Sequence, residues 1–175
     1  MTASLTTLML MCAPLVHPTT LRALIEVESA GNPYAVSVNY PQALRNAGVK
    51  LPEFSQPHSV REALELTRGL SARGYSTSVG LAQINVEHLS GWALRLGDLF
   101  NPCVNLTLAQ RILLACDAEQ SGDRTAGAHA RLRRTLRCYN AGARATGAAN
   151  PYAASIARAA ARHRDALARA ARGPA

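Results

Sequence analysis

The stretch "LIEVESAGNPYA", residues 24 to 35, joins an apolar run to a short segment rich in turn-forming residues. A helix is predicted to begin at Pro18, because proline suits the first helical position. The apolar residues that follow recur at helical spacing: Leu21, Leu24 and Ile25. Gly31, with Pro33 just beyond it, predicts the end of this helix. The stretch therefore indicates an amphipathic helix that stops at a turn.

Two glutamates lie near the end of this helix, and the helical spacing separates them. Glu28 follows Leu21 by seven residues, so it projects from the apolar stripe that is expected to pack inward. Glu26 points to the opposite face and is expected to be solvated. Burial raises the pKa of a carboxyl group, which suits a proton donor near neutral pH. Glu28 is therefore the candidate acid, and the competing interpretation is a partly buried carboxylate tied to an arginine or a backbone amide.

Further helices are predicted along the chain, and little sequence is left for a sheet. Ser59 and Glu62 form a capping-box pattern that begins a helix ending near Gly74, and its predicted inward face is Val60, Ala63, Leu64 and Thr67. Residues 39–58 contain three prolines and are predicted to form a loop. The segment "YSTSVGLAQIN", residues 75–85, is predicted to be a compact loop or a short extended piece.

The C-terminal half continues the helical pattern. A helix over about 105–118 is expected to face inward with Leu106, Ala109, Ile112, Leu113 and Cys116. Another over about 126–139 is expected to face inward with Leu132, Leu136 and Tyr139. Residues 151–175 have helical composition and a thin apolar face, and their arginine- and alanine-rich end, 161–175, is expected to fray. The fold class is therefore mainly α, with little or no sheet.

Length and charge limit the functional classes. The 175 residues are expected to form a single domain. Lys and Arg exceed Asp and Glu by 19 to 11, and most of the excess lies after residue 120. This excess of positive charge attracts polyanions. The only aromatic residues after residue 120 are Tyr139 and Tyr152, too few to stack single-stranded bases. Nucleic acid is not expected as a partner, and a solvated helix face is favoured over a dedicated partner surface.

The cysteines and the N-terminus give two further expectations. The four cysteines are widely spaced, which argues against a structural zinc site; small buried thiols are slightly favoured over one or two disulfides. Neither a metal nor an organic cofactor is expected. The N-terminal segment, residues 1–18, has no basic region and no uninterrupted apolar core, so it is a poor secretory signal and too short to span a membrane.

Three blocks occur in an order that resembles a known family. They are "ESAGNPYA" (28–35), "GLAQIN" (80–85) and "CYNAG" (138–142), and together they resemble the signature blocks of the SLT-type lytic transglycosylases, lysozyme-like enzymes that cleave peptidoglycan strands. Three further segments resemble the small transglycosylases of type IV secretion and conjugation machines: "CAPLVHPTTL" (12–21), "LFNPCVNL" (99–106) and "NPYAASI" (150–156). Two departures are Ala82, where many members have methionine, and an interval of nearly fifty residues between the first two blocks.

The resemblance implies a lysozyme-like helical domain, with its core over about residues 12–160, around a sugar-binding cleft. It assigns Glu28 as the catalytic acid, the same residue that the helical spacing selects. The residues implied to contact substrate are Ser29, Gln83, Ile84, Asn85, Tyr139 and Asn140. It also implies a monomer in the periplasm that acts on peptidoglycan glycan strands, with secretion-system components as partners.

No second acidic residue occurs in the three blocks, although ordinary glycosidases use two carboxylates. The resemblance accounts for this, because the sugar's own C6 hydroxyl attacks and one glutamate can act as acid and then as base. The expected activity is cleavage between N-acetylmuramic acid and N-acetylglucosamine with formation of 1,6-anhydromuramic acid. The alternatives are a hydrolytic lysozyme, for which Glu53, Glu87 and Asp98 are candidates by residue type alone, and a non-catalytic peptidoglycan-binding assembly subunit.

Overall fold

The computed structural model describes residues 4–39, 48, 50–119, 127–142 and 151–172. Its helices are α1 (Leu5–Cys12), α2 (Pro18–Ser29), α3 (Val60–Ala72), α4 (Leu89–Trp92), α5 (Pro102–Glu119), α6 (Ala128–Ala141) and α7 (Pro151–Arg172). Its strands are β1 (Val36–Val38), β2 (Thr77–Val79) and β3 (Ile84–Asn85). Two 3-10 helices, Val86–His88 and Leu96–Phe100, precede α4 and α5 respectively. The predicted mainly α class is confirmed.

The chain packs as two compact units. One consists of Met1–Val27 with Thr107–Ala175, and the other of Glu28–Leu106. Helix α2 belongs to the first unit except for its last two residues. The expectation of one domain for the whole chain stays a prediction.

Helix α2 has the predicted bounds and the predicted buried stripe. It begins at Pro18 and ends at Ser29, and Leu21, Leu24 and Ile25 are at most 1% exposed. Glu28, one turn further along this stripe, is half-buried. Glu28 continues the buried stripe of α2 and is only partly exposed, and Glu26, on another face of the helix, is also only partly exposed.

Helix α3 begins as its capping pattern predicts. The Ser59 hydroxyl accepts a hydrogen bond from the Glu62 amide at 3.3 Å and donates one to the Glu62 carboxylate at 3.0 Å. Ala63 and Thr67 are buried as predicted, but Val60, in the first turn, is 41% exposed. The buried stripe therefore begins one turn later than predicted.

Within the first unit, α6 is joined to the part of α5 after Leu106 by a disulfide and an ion pair. Cys116 is bonded to Cys138, with their Cα atoms 5.7 Å apart. The Arg131 guanidinium binds the Asp117 carboxylate, and it is the first cause of the lowered pKa of that carboxyl group. The side chain of Thr135 also donates to Asp117, at 3.2 Å.

These contacts correct two sequence-based expectations. None of the four cysteines is a free thiol, so the slight preference for reduced, buried cysteines was wrong. The predicted inward face of α6 is only partly correct, since Leu132 is 39% exposed. The contacts to α5 instead bury Thr135 and Cys138. In α5, four of the five residues predicted to face inward are buried: Leu106, Ala109, Leu113 and Cys116.

Helix α7 packs through its first half only. Ala153, Ile156 and Ala159 are buried, whereas the residues after His163 are exposed as far as Arg172. Among the helices that the structure describes, none has both the length and the apolar character that crossing a bilayer requires.

The second unit contains a small antiparallel sheet in the order β1-β2-β3. Val79 of β2 pairs with Val36 on one side and with Ile84 on the other. The Gln56 side chain completes the hydrogen bonding of β1, since it accepts from the Val36 amide at 3.0 Å and donates to the Val36 carbonyl at 2.9 Å. Strands of two or three residues are too short to show alternation, which is why only a loop or short extended piece was predicted. The predicted loop over residues 39–58 lies partly outside the described residues, and residues 50–57 have no regular structure.

We predict that replacing Cys116 and Cys138 together by alanine will lower the free energy of unfolding by about 3 kcal/mol. The bridge closes a loop with a sequence separation of 22, which restricts the unfolded chain. Urea unfolding followed by circular dichroism measures the effect. An unchanged urea midpoint would show that this bridge does not stabilise the fold.

Candidate active site at the end of helix α2

Glu28 lies in the last turn of α2, where the backbone leaves the helix through a tight turn. Ala30 and Gly31 both have left-handed backbone conformations, with φ of 51° and 83°. Such a conformation is costly for alanine and common for glycine, and it ends a helix abruptly. The carboxyl group of Glu28 is therefore presented by the end of a rigid helix next to a fixed turn.

Ser29 connects this helix end to the loop of the second signature block. Its hydroxyl donates to the carbonyl oxygen of Leu81 at 2.8 Å and accepts from the amide of Gly31 at 3.2 Å. Both atoms of the hydroxyl group are thus used within the protein. Ser29 positions the residue before it, and the structure brings together the first two of the three blocks.

The loop of residues 80–83 requires a glycine at position 80. Any other residue there would force the neighbouring atoms to move. Gly80 has a φ of 82°, and its amide donates to the carbonyl of Ala35 at 2.8 Å. A Cβ atom at this position would overlap the Asn105 side chain and lie 2.8 Å from the carbonyl oxygen of Leu99. The glycine therefore satisfies both a backbone conformation and a close approach.

Asn105 is a buried side chain that holds this loop. It is 0% exposed, and its Oδ1 accepts from the amide of Ala82 at 2.8 Å. Its Nδ2 donates to the carbonyl oxygens of Val79, at 3.0 Å, and Leu99, at 2.8 Å. One side chain thus satisfies three buried backbone groups, which would be costly to leave unpaired.

The side-chain amide of Gln83 is fixed by hydrogen bonds to backbone carbonyls at the start of its own loop and at Ala35. Its Nε2 donates to the carbonyl oxygens of Ala35, at 3.2 Å, and Gly80, at 3.0 Å. Its backbone is left-handed, with a φ of 51°, an uncommon conformation for a non-glycine residue that often marks a functional site. Among the described residues nothing bonds its Oε1, which leaves this oxygen able to accept from a ligand N–H.

The two residues after Gln83 have different environments. Ile84 is 1% exposed, so it is a core residue that could contact a sugar only through its backbone. Asn85 is half-buried, and its Oδ1 accepts from the amide of Glu87 at 2.9 Å, which begins a 3-10 helix. A ligand contact of Asn85 would therefore use its side-chain NH₂ group.

Tyr139 and Asn140 lie in the last turn of α6, in the other compact unit. Tyr139 is half-buried and Asn140 is exposed. The helix ends at Gly142, which has a φ of 82° and donates to the carbonyl of Cys138 at 2.7 Å. That the Tyr139 hydroxyl lies near Glu28 stays a prediction.

None of the three candidates for a second catalytic carboxylate belongs to the loop of residues 80–83. Asp98 accepts from the backbone amide of Arg95 at 2.8 Å, so it caps the start of a 3-10 helix. Glu53 and Glu87 are exposed. Glu53 and Glu87 therefore differ in exposure from the half-buried Glu28, and Asp98, itself half-buried, is engaged in capping.

Glu26 has a structural partner that the sequence did not reveal. Its carboxylate lies 2.5 Å from Nη2 of Arg162 and 2.7 Å from Nε2 of His163, both on α7. Arg22, one turn earlier on α2, donates to Nδ1 of His163 at 3.3 Å. Glu26 keeps 35% of its side chain exposed, as expected of a residue on the solvated face, but it also pairs with α7, which the sequence did not indicate. The hydrogen bond from Arg162 is the first cause of the lowered pKa of Glu26.

Asn105 is the positioning residue that the sequence analysis missed. It lies inside the quoted segment "LFNPCVNL", next to Leu106 on the inward face of α5. A polar residue in such a stripe is expected to be hydrogen-bonded when buried, and that was the available signal.

We predict that one of two buried polar substitutions in the second unit will destabilise the protein and that the other will not. Asn105→Leu will lower the free energy of unfolding by more than about 2 kcal/mol, because it leaves three backbone groups unpaired. Thr77→Val is the matched control: among the described residues the buried Thr77 hydroxyl has no hydrogen-bond partner, so its removal will not destabilise the protein. Urea unfolding of both variants measures this, and equal losses would contradict the role given to Asn105.

A second prediction concerns the pH dependence of the ion pair between α2 and α7. Because the folded pKa of Glu26 is lowered, its contribution is complete above the unfolded pKa and is lost as the pH falls through the folded value. Glu26→Gln will therefore cost up to about 1 kcal/mol at pH 7, since the pair is partly solvent-screened, and less below about pH 4. Urea midpoints at both pH values measure this. Glu65→Gln, at an exposed position on α3, is the control and should change neither value; a pH-independent loss for Glu26→Gln would refute the assignment.

Comparison with known proteins identifies the family of this chain. Residues 8–160 match the family model described as Transglycosylase SLT domain. A protein of Brucella abortus biovar 1 (strain 9-941), named type IV secretion system protein virB1, is 34% identical over 131 residues, which are 75% of this chain and 51% of that protein. Protein virB1 of Agrobacterium fabrum (strain C58) is 33% identical over 146 residues, 83% of this chain and 54% of the relative.

The chain spans about half the length of the curated relatives it matches. No solved structure matches it. The match to the family model, over residues 8–160, nevertheless includes the second unit, most of the first unit and all three sequence blocks. This chain therefore belongs to the transglycosylase SLT domain family.

Proposed function

We propose that the protein is a peptidoglycan lytic transglycosylase that cleaves the β-1,4 bond between N-acetylmuramic acid and N-acetylglucosamine. The observation that carries the proposal is the placement of one half-buried glutamate, Glu28, at a helix end that Ser29 bonds to the loop of residues 80–83. The family supports the same activity. No metal or organic cofactor takes part in the proposed reaction.

The first half of the reaction needs a protonated carboxyl group. Glu28 donates its proton to the glycosidic oxygen as the bond from C1 of muramic acid to that oxygen breaks. The leaving sugar takes the bonding electrons and the proton, and the N-acetyl group of the muramic acid stabilises the positive charge at C1. Burial favours the protonated form of a carboxyl group, so a half-buried glutamate suits this step better than the exposed Glu53 or Glu87.

The second half uses the same side chain in its other state. The Glu28 carboxylate removes the proton of the C6 hydroxyl, and O6 bonds to C1 to close the 1,6-anhydro ring. Glu28 is then protonated again, so the enzyme returns to its starting state without a water molecule. Because the nucleophile belongs to the substrate, no second carboxylate is required.

The neighbouring residues receive supporting roles. The Oε1 of Gln83 accepts a hydrogen bond from an N-acetyl group, and the side-chain NH₂ of Asn85 donates one to a sugar oxygen. Ile84 contributes its backbone, and Ser29 acts by holding the end of α2. Tyr139 orients Glu28 or supports the developing charge, and Asn140 contacts the glycan beside it.

The proposed cellular setting rests on the Brucella relative, whose name includes the type IV secretion system. We propose that the protein acts as a monomer in the periplasm and opens the wall locally for a secretion apparatus. Secretion-system components are then its expected protein partners.

We predict that Glu28→Gln will fold normally and lose nearly all glycan cleavage, at least about a hundredfold, because glutamine cannot exchange the proton. Clearing of peptidoglycan in a zymogram, with circular dichroism as the folding check, measures this. The matched control is Glu26→Gln, two residues away and without a role in the reaction, which should keep its activity.

Three outcomes would contradict parts of this proposal. Retention of most activity by Glu28→Gln would exclude Glu28 as the acid. Inactivation by Glu53→Gln or Glu87→Gln would indicate a second carboxylate and hence a hydrolytic lysozyme. A wild-type protein that binds peptidoglycan without clearing it would be a non-catalytic assembly subunit.

A further inference from the structure

An aromatic stack lies just beyond the second signature block, in the second compact unit. The rings of His88 and Trp92 have centroids 5.1 Å apart, and their planes are inclined by 22°. His88 is exposed and Trp92 is half-buried. Neither residue has a role in the proposed proton transfers. The pair therefore presents to solvent an aromatic surface that the cleavage step does not use.

A continuous helical backbone holds the two rings together. His88 ends the 3-10 helix Val86–His88 and leads directly into α4, with φ of −68° and ψ of −18°. Trp92 is the last residue of α4 and follows His88 by four positions, so the two side chains lie on one face. Ala93 then has a left-handed backbone with a φ of 52°, which ends the helix at the tryptophan.

Left-handed conformations of non-glycine residues mark the same part of the molecule. Among the described residues there are three: Ala30, Gln83 and Ala93. Ala30 lies two residues after Glu28, and Gln83 is proposed to bind an N-acetyl group. Such conformations are costly for a residue with a side chain and are retained where function requires a fixed geometry. Ala93, next to Trp92, thus shares this feature with two positions of the proposed active site.

The stack is joined by a short, fixed segment to a residue proposed to contact the glycan. Asn85 is paired with Ser78 in the sheet, and its Oδ1 caps the 3-10 helix at the amide of Glu87. His88 follows Asn85 by three residues, about 6 Å at the rise of a 3-10 helix. That span is comparable to the length of a sugar ring. A glycan strand held at Asn85 can therefore reach the stack with a neighbouring sugar.

The chemistry of the pair suits a sugar of this strand. The substituents of a β-linked N-acetylglucosamine ring are equatorial, so its axial C–H bonds give the ring apolar faces. Such a face packs against an aromatic ring, while the hydroxyl groups at the edge of the sugar bind nearby polar atoms. The imidazole nitrogens of His88 supply polar atoms beside the tryptophan.

We propose that His88 and Trp92 form a sugar-binding subsite for the glycan strand, outside the bond that Glu28 cleaves. The inference rests on the proposed function, because its ligand is the strand that the enzyme is proposed to cleave. The apolar face of an N-acetylated sugar packs against the exposed surface of the Trp92 ring. His88 holds that ring by stacking and binds a sugar hydroxyl. The subsite increases affinity for the strand and takes no part in proton transfer.

The tryptophan itself reports on this subsite. Trp92 is the single tryptophan of the chain, so a change in tryptophan emission arises from this ring alone. Titration of the full chain with the soluble tetramer of N-acetylglucosamine should give a saturable change in emission. The dissociation constant obtained in this way is the reference for the variants.

Three variants separate stacking from packing. Trp92→Leu keeps an apolar side chain in α4 but removes the aromatic face, and His88→Ala removes the stacking partner. Each should raise the Kd of the tetramer by about tenfold, whereas Trp92→Phe, which keeps a ring, should recover most of the affinity. Calorimetric titration measures all three, with circular dichroism as the folding check. His88 is exposed, so His88→Ala keeps the test decisive if replacement of Trp92 disturbs folding.

His129→Ala is the matched control for His88→Ala. It removes an exposed histidine from the first turn of α6, in the other compact unit. It should change the Kd of the tetramer by less than about twofold, because His129 lies outside the proposed subsite.

Kinetics on purified peptidoglycan distinguish a binding subsite from catalytic machinery. Trp92→Leu should raise KM by about tenfold and leave kcat within about twofold, because the subsite binds the ground state and the transition state equally.

The inference is overturned if Trp92→Leu and Trp92→Phe bind the tetramer equally, if His88→Ala binds it as tightly as the wild type, or if Trp92→Leu lowers kcat at unchanged KM. Emission that responds to phosphatidylglycerol vesicles and not to the tetramer would also overturn it, by assigning the pair to lipid. Any of these results with normal clearing of peptidoglycan by the wild type would leave the proposed function intact. A wild type that neither binds the tetramer nor clears peptidoglycan would refute both.

Discussion

The buried amide of Asn105 is the interaction on which the site depends. It pairs with backbone groups of Val79, Ala82 and Leu99, and so holds the loop between β2 and β3 in one conformation. Leu81, inside that loop, accepts the hydrogen bond from Ser29. The position of Glu28 at the end of α2 therefore depends, through Ser29, on a side chain that touches neither the substrate nor Glu28 in the proposed mechanism.

Residues just before and just after Glu28 attach helix α2 to the rest of the protein. Two residues before it, Glu26 pairs with Arg162 and His163 of α7; one residue after it, Ser29 bonds to Leu81. A catalytic acid must be placed to within a fraction of an ångström, and rigid elements achieve this better than loops do. The Ser29 attachment fixes the end of α2 that carries Glu28, whereas the Glu26 pair stabilises the packing of α2 against α7.

The features that the sequence predicted are those set by local patterns. The spacing of Leu21, Leu24 and Ile25 was enough to predict the buried stripe of α2, and Ser59 with Glu62 was enough to begin α3, because both depend on residues within two turns of each other. The order of the three blocks predicted the family, since an ordered set of blocks is more specific than any one of them.

The features that were missed depend on distant contacts. The hydrogen bonds of Asn105 to Val79, the bridge from Cys116 to Cys138 and the pairing of Glu26 with Arg162 each join residues at least 22 positions apart. Helical periodicity carries no information about such pairs. The strands were missed for a different reason, because segments of two or three residues do not establish a period.

The central claim is that Glu28 alone carries the proton and that the C6 hydroxyl, not water, attacks the sugar. Digestion of purified peptidoglycan in H₂¹⁸O, followed by mass spectrometry of the released fragments, tests this directly. The account predicts 1,6-anhydromuramic acid ends without ¹⁸O. Reducing muramic acid ends that carry ¹⁸O would show that water reaches C1, and would contradict it.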